Sequence, residues 1–289
     1  RSIKNLKFVF LITTILFVGL LVSKTHDDFA FYHFQTALNL TRNKIQIGLS
    51  NLDFSYAKHS SLLYLNSLFN FPYFKYYFFN APNQLFLTGV VLALINFSVN
   101  KKDNQFLKIF SLMTLFYILL KFTRSAEYGT DIIGQLLILI FTYLVFYFFL
   151  LKDKLQKEKV IILSGIICLY CFTIKTYFIL YFLIYALMIY KINIKDYLKI
   201  IINNKYFLFF LIAFTCSYIT LNIFSSGCII YPIPFLCFEN LLWAMPKEEV
   251  IEYKIWYEKW AYLIMLARTP HLNPSIAFLL GALKKPACG

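Results

Sequence analysis

Two adjacent carboxylates, Asp27 and Asp28, open the stretch Asp27-Asp28-Phe29-Ala30-Phe31-Tyr32-His33-Phe34-Gln35, directly after an apolar run. If that stretch is helical, Asp28, Tyr32, Gln35 and Asn39 fall on one polar stripe at helical spacing. A carboxylate at a membrane surface, among aromatic rings and beside His33, is a candidate general base. The structural alternative is that Asp27 and Asp28 cap a surface helix, where negative charge favours the N-terminus.

Candidate partners for such a base are scattered along the chain. Lys58 and His59 precede Ser60-Ser61 and a segment in which Leu62, Leu65 and Phe69 recur at helical spacing. Either serine fits an N-cap, and amides at a helix start flanked by Lys58 and His59 suit a phosphate; a helix that merely covers a bundle is the competing reading. Arg124 and Asp131 end the run Arg124-Ser125-Ala126-Glu127-Tyr128-Gly129-Thr130-Asp131, in which Asp131 either caps the next helix or belongs to a cluster of charges. Lys175 interrupts an otherwise apolar stretch. A cation at that depth pairs with a carboxylate or a substrate phosphate, or else snorkels to an interface. Cys228 and Cys237 lie nine positions apart in a Pro-containing segment. In an oxidising compartment they can close a disulfide, worth about 2–3 kcal/mol for so short a loop. Cys168 and Cys171 sit within an apolar run and read as small apolar residues, and a four-ligand zinc pattern is missing. The phosphate-cradling glycine loop, the Gly-x-Ser-x-Gly elbow and His-Glu-x-x-His are also missing, which leaves cytosolic nucleotide chemistry unsupported.

The elements that must position these groups follow from composition. Of 289 residues 60% are apolar and only 15% charged, with 33 Phe and 22 Tyr. Soluble chains carry about 25% charge, so too few charges remain here to cover a water-facing surface, and lipid is the main solvent. Crossing a roughly 30 Å hydrocarbon core takes about 20 apolar residues in a helix. Five runs approach that length, at 8–23, 84–99, 106–122, 132–151 and 206–224, and two shorter ones, 160–174 and 177–190, are parted by Lys175-Thr176. The expected fold is an all-α polytopic bundle of about seven or more spans, in one transmembrane domain covering 1–289, with the short pair forming a tight hairpin or a single bent helix. Loops 24–82 and 225–271 are expected to carry interfacial helices, the second one aromatic and acidic across 243–260. A first residue other than Met makes a fragment the expectation.

The net charge of +14 would suggest nucleic acid as partner in a soluble protein. Here the cations fall in short clusters: Arg1, Lys4 and Lys7, then Lys101, Lys102 and Lys108, then Lys152, Lys154, Lys157 and Lys159, and finally Lys191, Lys195, Lys199 and Lys205. Clusters at every second connection are a positive-inside pattern and exclude a nucleic-acid role. They put the N-terminus in the cytoplasm and the long first loop outside, so the unusual chemistry collects on one face.

At Asp27-Asp28, placed directly after the first span, the chain resembles the membrane-embedded glycosyltransferases of the C superfamily, which use polyprenyl-phosphate sugars. The run 28–35, Gly48-Leu49-Ser50-Asn51-Leu52, Ser60-Ser61 with its aliphatics and the stretch 226–232 look more closely like a group of uncharacterised bacterial multi-spanning proteins grouped with that superfamily. The resemblance implies a bacterial inner-membrane enzyme of hexosyltransferase type that moves a sugar from a polyprenyl-phosphate donor to an extracytoplasmic glycan or lipid acceptor in envelope assembly. Asp27 or Asp28 would act as the base, while Lys58, Arg124 and Lys175 hold the departing lipid phosphate and His33, His59 and Asp131 line the substrate site. No cofactor is assigned, and metal dependence varies within that superfamily. The chain departs from the pattern in lacking a clear C-terminal periplasmic domain. A transporter or flippase for a lipid-linked or small anionic substrate, and a non-catalytic membrane assembly protein, are the alternatives.

Overall fold

A computed structural model describes residues 3–21, 28–74, 76–100, 104–125 and 127–267, so Asp27 lies outside the described residues. All regular structure among them is helical. The elements in chain order are α1 (Ile3–Phe17), α2 (Phe34–Arg42), α3 (Ser61–Ser67), α4 (Ala81–Val99), α5 (Gln105–Leu120), α6 (Phe122–Ser125) and α7 (Asp131–Leu150). They continue with α8 (Lys154–Ile174), α9 (Tyr181–Ile192), α10 (Ile194–Asn203), α11 (Lys205–Ser226) and α12 (Lys247–Ala267).

Among the described residues three helices are long and apolar enough to cross a membrane: Tyr76–Val99, Asp131–Leu150 and Lys205–Ser226. The count rises to four if α9 and α10, bent by 100° at Asn193, form one span. The apolar helices Lys7–Leu21 and Gln105–Leu120 are shorter. α8 is long enough but opens on Lys154, Lys157, Glu158 and Lys159, which extend it beyond the apolar run that begins at 160.

Local chemistry fixes the helix ends. Asn104 and Asp153 accept hydrogen bonds from the amides of Phe106 (2.9 Å) and Leu155 (3.2 Å), capping α5 and α8. Pro82 sits in the first turn of α4, where its missing N–H leaves no gap. α11 ends at Gly227 with φ of 76°, a left-handed stop that glycine adopts without strain. The core runs along α4, α7 and α8, where Leu87, Leu94, Ile133, Phe141, Phe148 and Ile161 are buried. Phe97 and Tyr143 stack at 4.0 Å across the α4–α7 seam. Outward positions of α5, α9 and α11 are apolar as well, including Phe106, Leu112, Leu187 and Phe209. Apolar residues on both the inside and the outside of a bundle are what a lipid solvent allows.

The chain breaks between α8 and α9. Lys175 is extended (φ −149°, ψ 131°), and a 3-10 turn over Thr176–Leu180 leads into α9. Two helices therefore part at Lys175, as against one bent helix, but only α9 is short, since α8 has 21 residues. A side-chain carbon at Gly134 of α7 would collide with the buried ring of Phe178 in that turn, so glycine permits their close approach.

Candidate functional site

Asp28 stands at the start of a short π-turn, Phe29–His33, and makes no capping hydrogen bond with its side chain. Its backbone carbonyl accepts from the amides of Tyr32 (3.2 Å) and His33 (3.4 Å). Its carboxylate takes the hydroxyl of Tyr32, one turn away, so the acid faces the interior of the loop layer. The phenol of Tyr32 is pushed well above its ordinary range, first by burial and then by the carboxylates of Asp28 and Asp131. Both acids therefore bear on one hydroxyl.

Lys58 reaches the same place from the opposite strand of the loop, at the C-terminal end of the 3-10 turn Phe54–Ala57. Its ammonium lies over three rings: Tyr257 at 4.9 Å, Phe54 at 5.1 Å and Tyr32 at 5.4 Å. Burial lowers its pKa to about 8; the nearby Asp28 and Asp53 carboxylates oppose that shift and the Lys175 charge adds to it. Lys175 in turn forms an ion pair with Asp131, which lies in the first turn of α7 behind Thr130 at the cap position. Asp28, Tyr32, Lys58, Asp131 and Lys175 thus form one cluster, roofed by Tyr257 of α12.

Several ties hold the cluster in register. Gly48 N–H bonds the carbonyl of Phe224 (2.8 Å), Ser225 Oγ donates to the carbonyl of Tyr56 (2.9 Å), and Asn51 Nδ2 donates to that of Trp243 (2.9 Å). These fasten the segment preceding Lys58 to the end of α11 and to Trp243 beyond it. Thr173 Oγ1 donates to Ser61 Oγ at 2.9 Å, which fastens α3 to α8 two residues before Lys175. Cys228 and Cys237 are joined by a disulfide that closes a hairpin, with Ile229 N–H to Leu236 O and Phe238 N–H to Gly227 O both at 2.9 Å. Cys228, Tyr231, Met245 and Val250 pack on Ala57, with Phe54, Tyr253 and Tyr257 at the edge of that group. The hairpin thereby sets both Lys58 and Tyr257.

Not every expected site residue joins the cluster. His33 is fully buried behind Tyr32, its ring 4.1 Å from the phenol ring and 6.4 Å from that of Tyr128. His59 turns away from Lys58: its Nδ1 is 2.9 Å from the Tyr64 hydroxyl, and burial lowers its pKa to about 4. Arg124 pairs at 3.2 Å with Glu127, a buried acid. Sequence reasoning did not place Tyr257 or Phe54 in the site. Tyr32 had a signal, its spacing of one turn from Asp28; Tyr257 had none, being brought in by α12 from far along the chain. No three His, Cys, Asp or Glu side chains converge as metal ligands among the described residues.

An apolar groove of about 430 Å³ opens beside this end of the bundle, lined by Leu65, Phe69, Pro82, Phe86, Gly89 and Leu137 among others. It connects α3 and α4 with α7, and Leu137 lies roughly 9 Å along α7 from Asp131. A side chain at Gly89 would meet nothing within 4 Å.

Fold and site together define an all-α protein with membrane-length helices and a cluster of two acids and two lysines at one end of its bundle. The chain belongs to the family described as a domain of unknown function, DUF8201, whose model matches residues 1–275. Neither a curated protein nor a solved structure matches it.

Proposed function

We propose that this protein is a membrane glycosyltransferase that moves a sugar from a polyprenyl-phosphate donor to a glycan or lipid acceptor at the extracytoplasmic rim of the bacterial inner membrane, with about seven spans and the N-terminus inside. The observation that carries the reading is the meeting of Asp28 with Lys58 and Lys175 at one end of an apolar bundle. A base and two cations within one site are what such a transfer needs. Asp28 takes the proton of the acceptor hydroxyl as that oxygen attacks the anomeric carbon. The bond from the anomeric carbon to the phosphate oxygen breaks, and the polyprenyl phosphate departs with the electron pair towards Lys58 and Lys175. The proton then passes from Asp28 to solvent, restoring the base.

Two further features support this assignment. Lys175 is held by Asp131 while Asp28 and Asp53 bear on Lys58, so an arriving phosphate can displace Asp131 from Lys175 and leave Lys58 to offset Asp28. The groove on α3, α4 and α7 is apolar and starts near the cluster, as an isoprenoid chain bound to that phosphate requires.

The test is loss of envelope glycan in a deletion strain complemented with wild type, Asp28→Asn or Asp27→Asn. Asp28→Asn is expected to abolish the glycan while the protein still accumulates in the membrane. Normal glycan with both carboxylates removed would refute the transferase. Labelled-lipid translocation that depends on the protein and persists in those variants would favour the flippase.

A further inference from the structure

We propose that α10 is an interfacial helix that docks on anionic phospholipid headgroups at the end of the bundle opposite the Asp28 cluster. α7 and α8 are joined at Leu151–Asp153 and bring Asp131 and Lys175 together at their other ends, so residues 151–159 lie away from the cluster. α9 returns from Lys175 to that same far end, where Lys154 of α8 pairs with Asp196 of α10 at 3.5 Å. There Asn193 takes a φ of 87°, its side chain accepts from the amide of Lys195 at 3.3 Å, and the chain turns by 100° into α10. With ten residues, α10 is roughly 15 Å long, half the thickness of a hydrocarbon core. It is too short to cross, and it carries Lys195 and Lys199, which a re-entrant segment in hydrocarbon would have to bury.

The faces of α10 fit a helix lying flat. At 100° per residue Tyr197, Ile200 and Ile201 fall at about 240–340° and face the bundle; Ile200 is buried, and the Tyr197 hydroxyl lies 3.2 Å from that of Tyr185 on α9. Ile194, Leu198 and Ile202 fall next to them at about 0°, 40° and 80°, and all three are exposed. Lys195 and Lys199 follow at about 100° and 140°, also exposed. Bundle face, bare apolar stripe and lysine stripe thus succeed one another around the helix. Tyr190 near the end of α9 and Tyr206 near the start of α11, on the helices that flank α10 in the chain, are exposed as well, as interfacial aromatics are. Lys152 before α8, Lys191 near the end of α9 and Lys205 at the start of α11 are exposed too. Acyl chains cover the stripe, and the lysine stems reach past it to negatively charged headgroups. This inference does not depend on the reaction assigned to the other end.

The experiment uses the full chain in nanodiscs of equimolar phosphatidylglycerol and phosphatidylcholine, with Cys216 and Cys288 replaced by serine and a nitroxide attached at Leu198→Cys or Asn203→Cys. The label at position 198 is expected to collide with oxygen in preference to an aqueous nickel reagent, and the label at 203 to do the reverse. Lipid retained through mild-detergent extraction should be enriched in phosphatidylglycerol, and the enrichment should fall by up to about five-fold for each of Lys195→Gln and Lys199→Gln. The proposal is overturned by aqueous access at 198, which would mean a soluble partner, or by dipolar broadening between copies there, which would mean a second chain. It is equally overturned by phosphatidylglycerol enrichment that survives the double lysine variant.

Discussion

At the scale of single residues, the cluster is governed by how much of Lys58's charge survives its surroundings. Three aromatic rings shelter the ammonium and burial lowers its pKa to about 8, so it loses its proton at a lower pH than an ordinary lysine does. A phosphate monoester is already fully ionised there, so the ligand contributes no titration of its own. Affinity for a short-chain prenyl phosphate should therefore fall as pH rises through about 8, approaching tenfold per unit beyond it. Lys58→Arg, always charged and able to stack on the same rings, should flatten that limb when binding is followed from pH 7 to 10. A limb that persists unchanged in Lys58→Arg assigns the titration elsewhere. The effect on stability has the opposite sense. Because the folded pKa lies below the unfolded one, protonated Lys58 opposes folding at pH below about 8, and that penalty fades as pH rises towards 10.5. Asp28, Lys58, Asp131 and Lys175 are each legible in the sequence as charges out of keeping with their apolar or loop settings. Which of them meet is not, because Arg124 and His59 look equally suitable, and it is local pairing, Arg124 with Glu127 three residues on and His59 with Tyr64 five residues on, that takes those two out of the cluster.

At the scale of elements, two features act on the cluster from outside it. The Cys228–Cys237 hairpin packs on Ala57 and on the Tyr253–Tyr257 side of α12, so it positions Lys58 and its ring roof without touching a ligand. Replacing both cysteines by alanine should lower unfolding stability by about 2–3 kcal/mol. It should also move the pH limb upward towards the ordinary lysine value, as the loosened rings admit water; an unmoved limb would show that the hairpin is only a staple. The groove offers a complementary test, because Gly89 borders open space. Gly89→Leu should weaken prenyl-phosphate binding by about tenfold, equivalent to withdrawing two methylenes at ~0.8 kcal/mol each, while leaving thermal stability unchanged. Most long helices were visible as apolar runs: 132–151 was expected and Asp131–Leu150 is found. The apolar run at 160–174 understates α8, since counting apolar residues stops at the first lysine while the helix extends back through Lys157 to Lys154. In sequence α10 looks like a basic connection, because its lysines mask a three-sided pattern that only the packing of Ile200 and Tyr197 makes plain.

For the molecule as a whole, the decisive property is the separation of charge by end. The Asp28 cluster, which mixes acids and lysines, occupies one end of the bundle, while Lys152, Lys154, Lys157, Lys159, Lys191, Lys195, Lys199 and Lys205 gather at the other with Asp153, Glu158 and Asp196 as their acidic neighbours. Positive charge is retained on the cytoplasmic side during insertion, so the lysine-rich end should face inward and the cluster outward. Leu52, exposed in the loop that carries Lys58, and Asn203, exposed at the end of α10, report the two ends. In intact cells carrying the Cys216→Ser and Cys288→Ser background, an impermeant maleimide should label Leu52→Cys and spare Asn203→Cys until the membrane is opened. Labelling of both from outside would put α10 and the cluster on one side, a geometry incompatible with α7 and α8 crossing as an antiparallel pair. Labelling of Asn203→Cys alone would invert the protein and remove the extracytoplasmic acceptor from reach of Asp28. The reaction proposed for the cluster thus stands on the same charge asymmetry that seats α10, and one labelling experiment reads both ends.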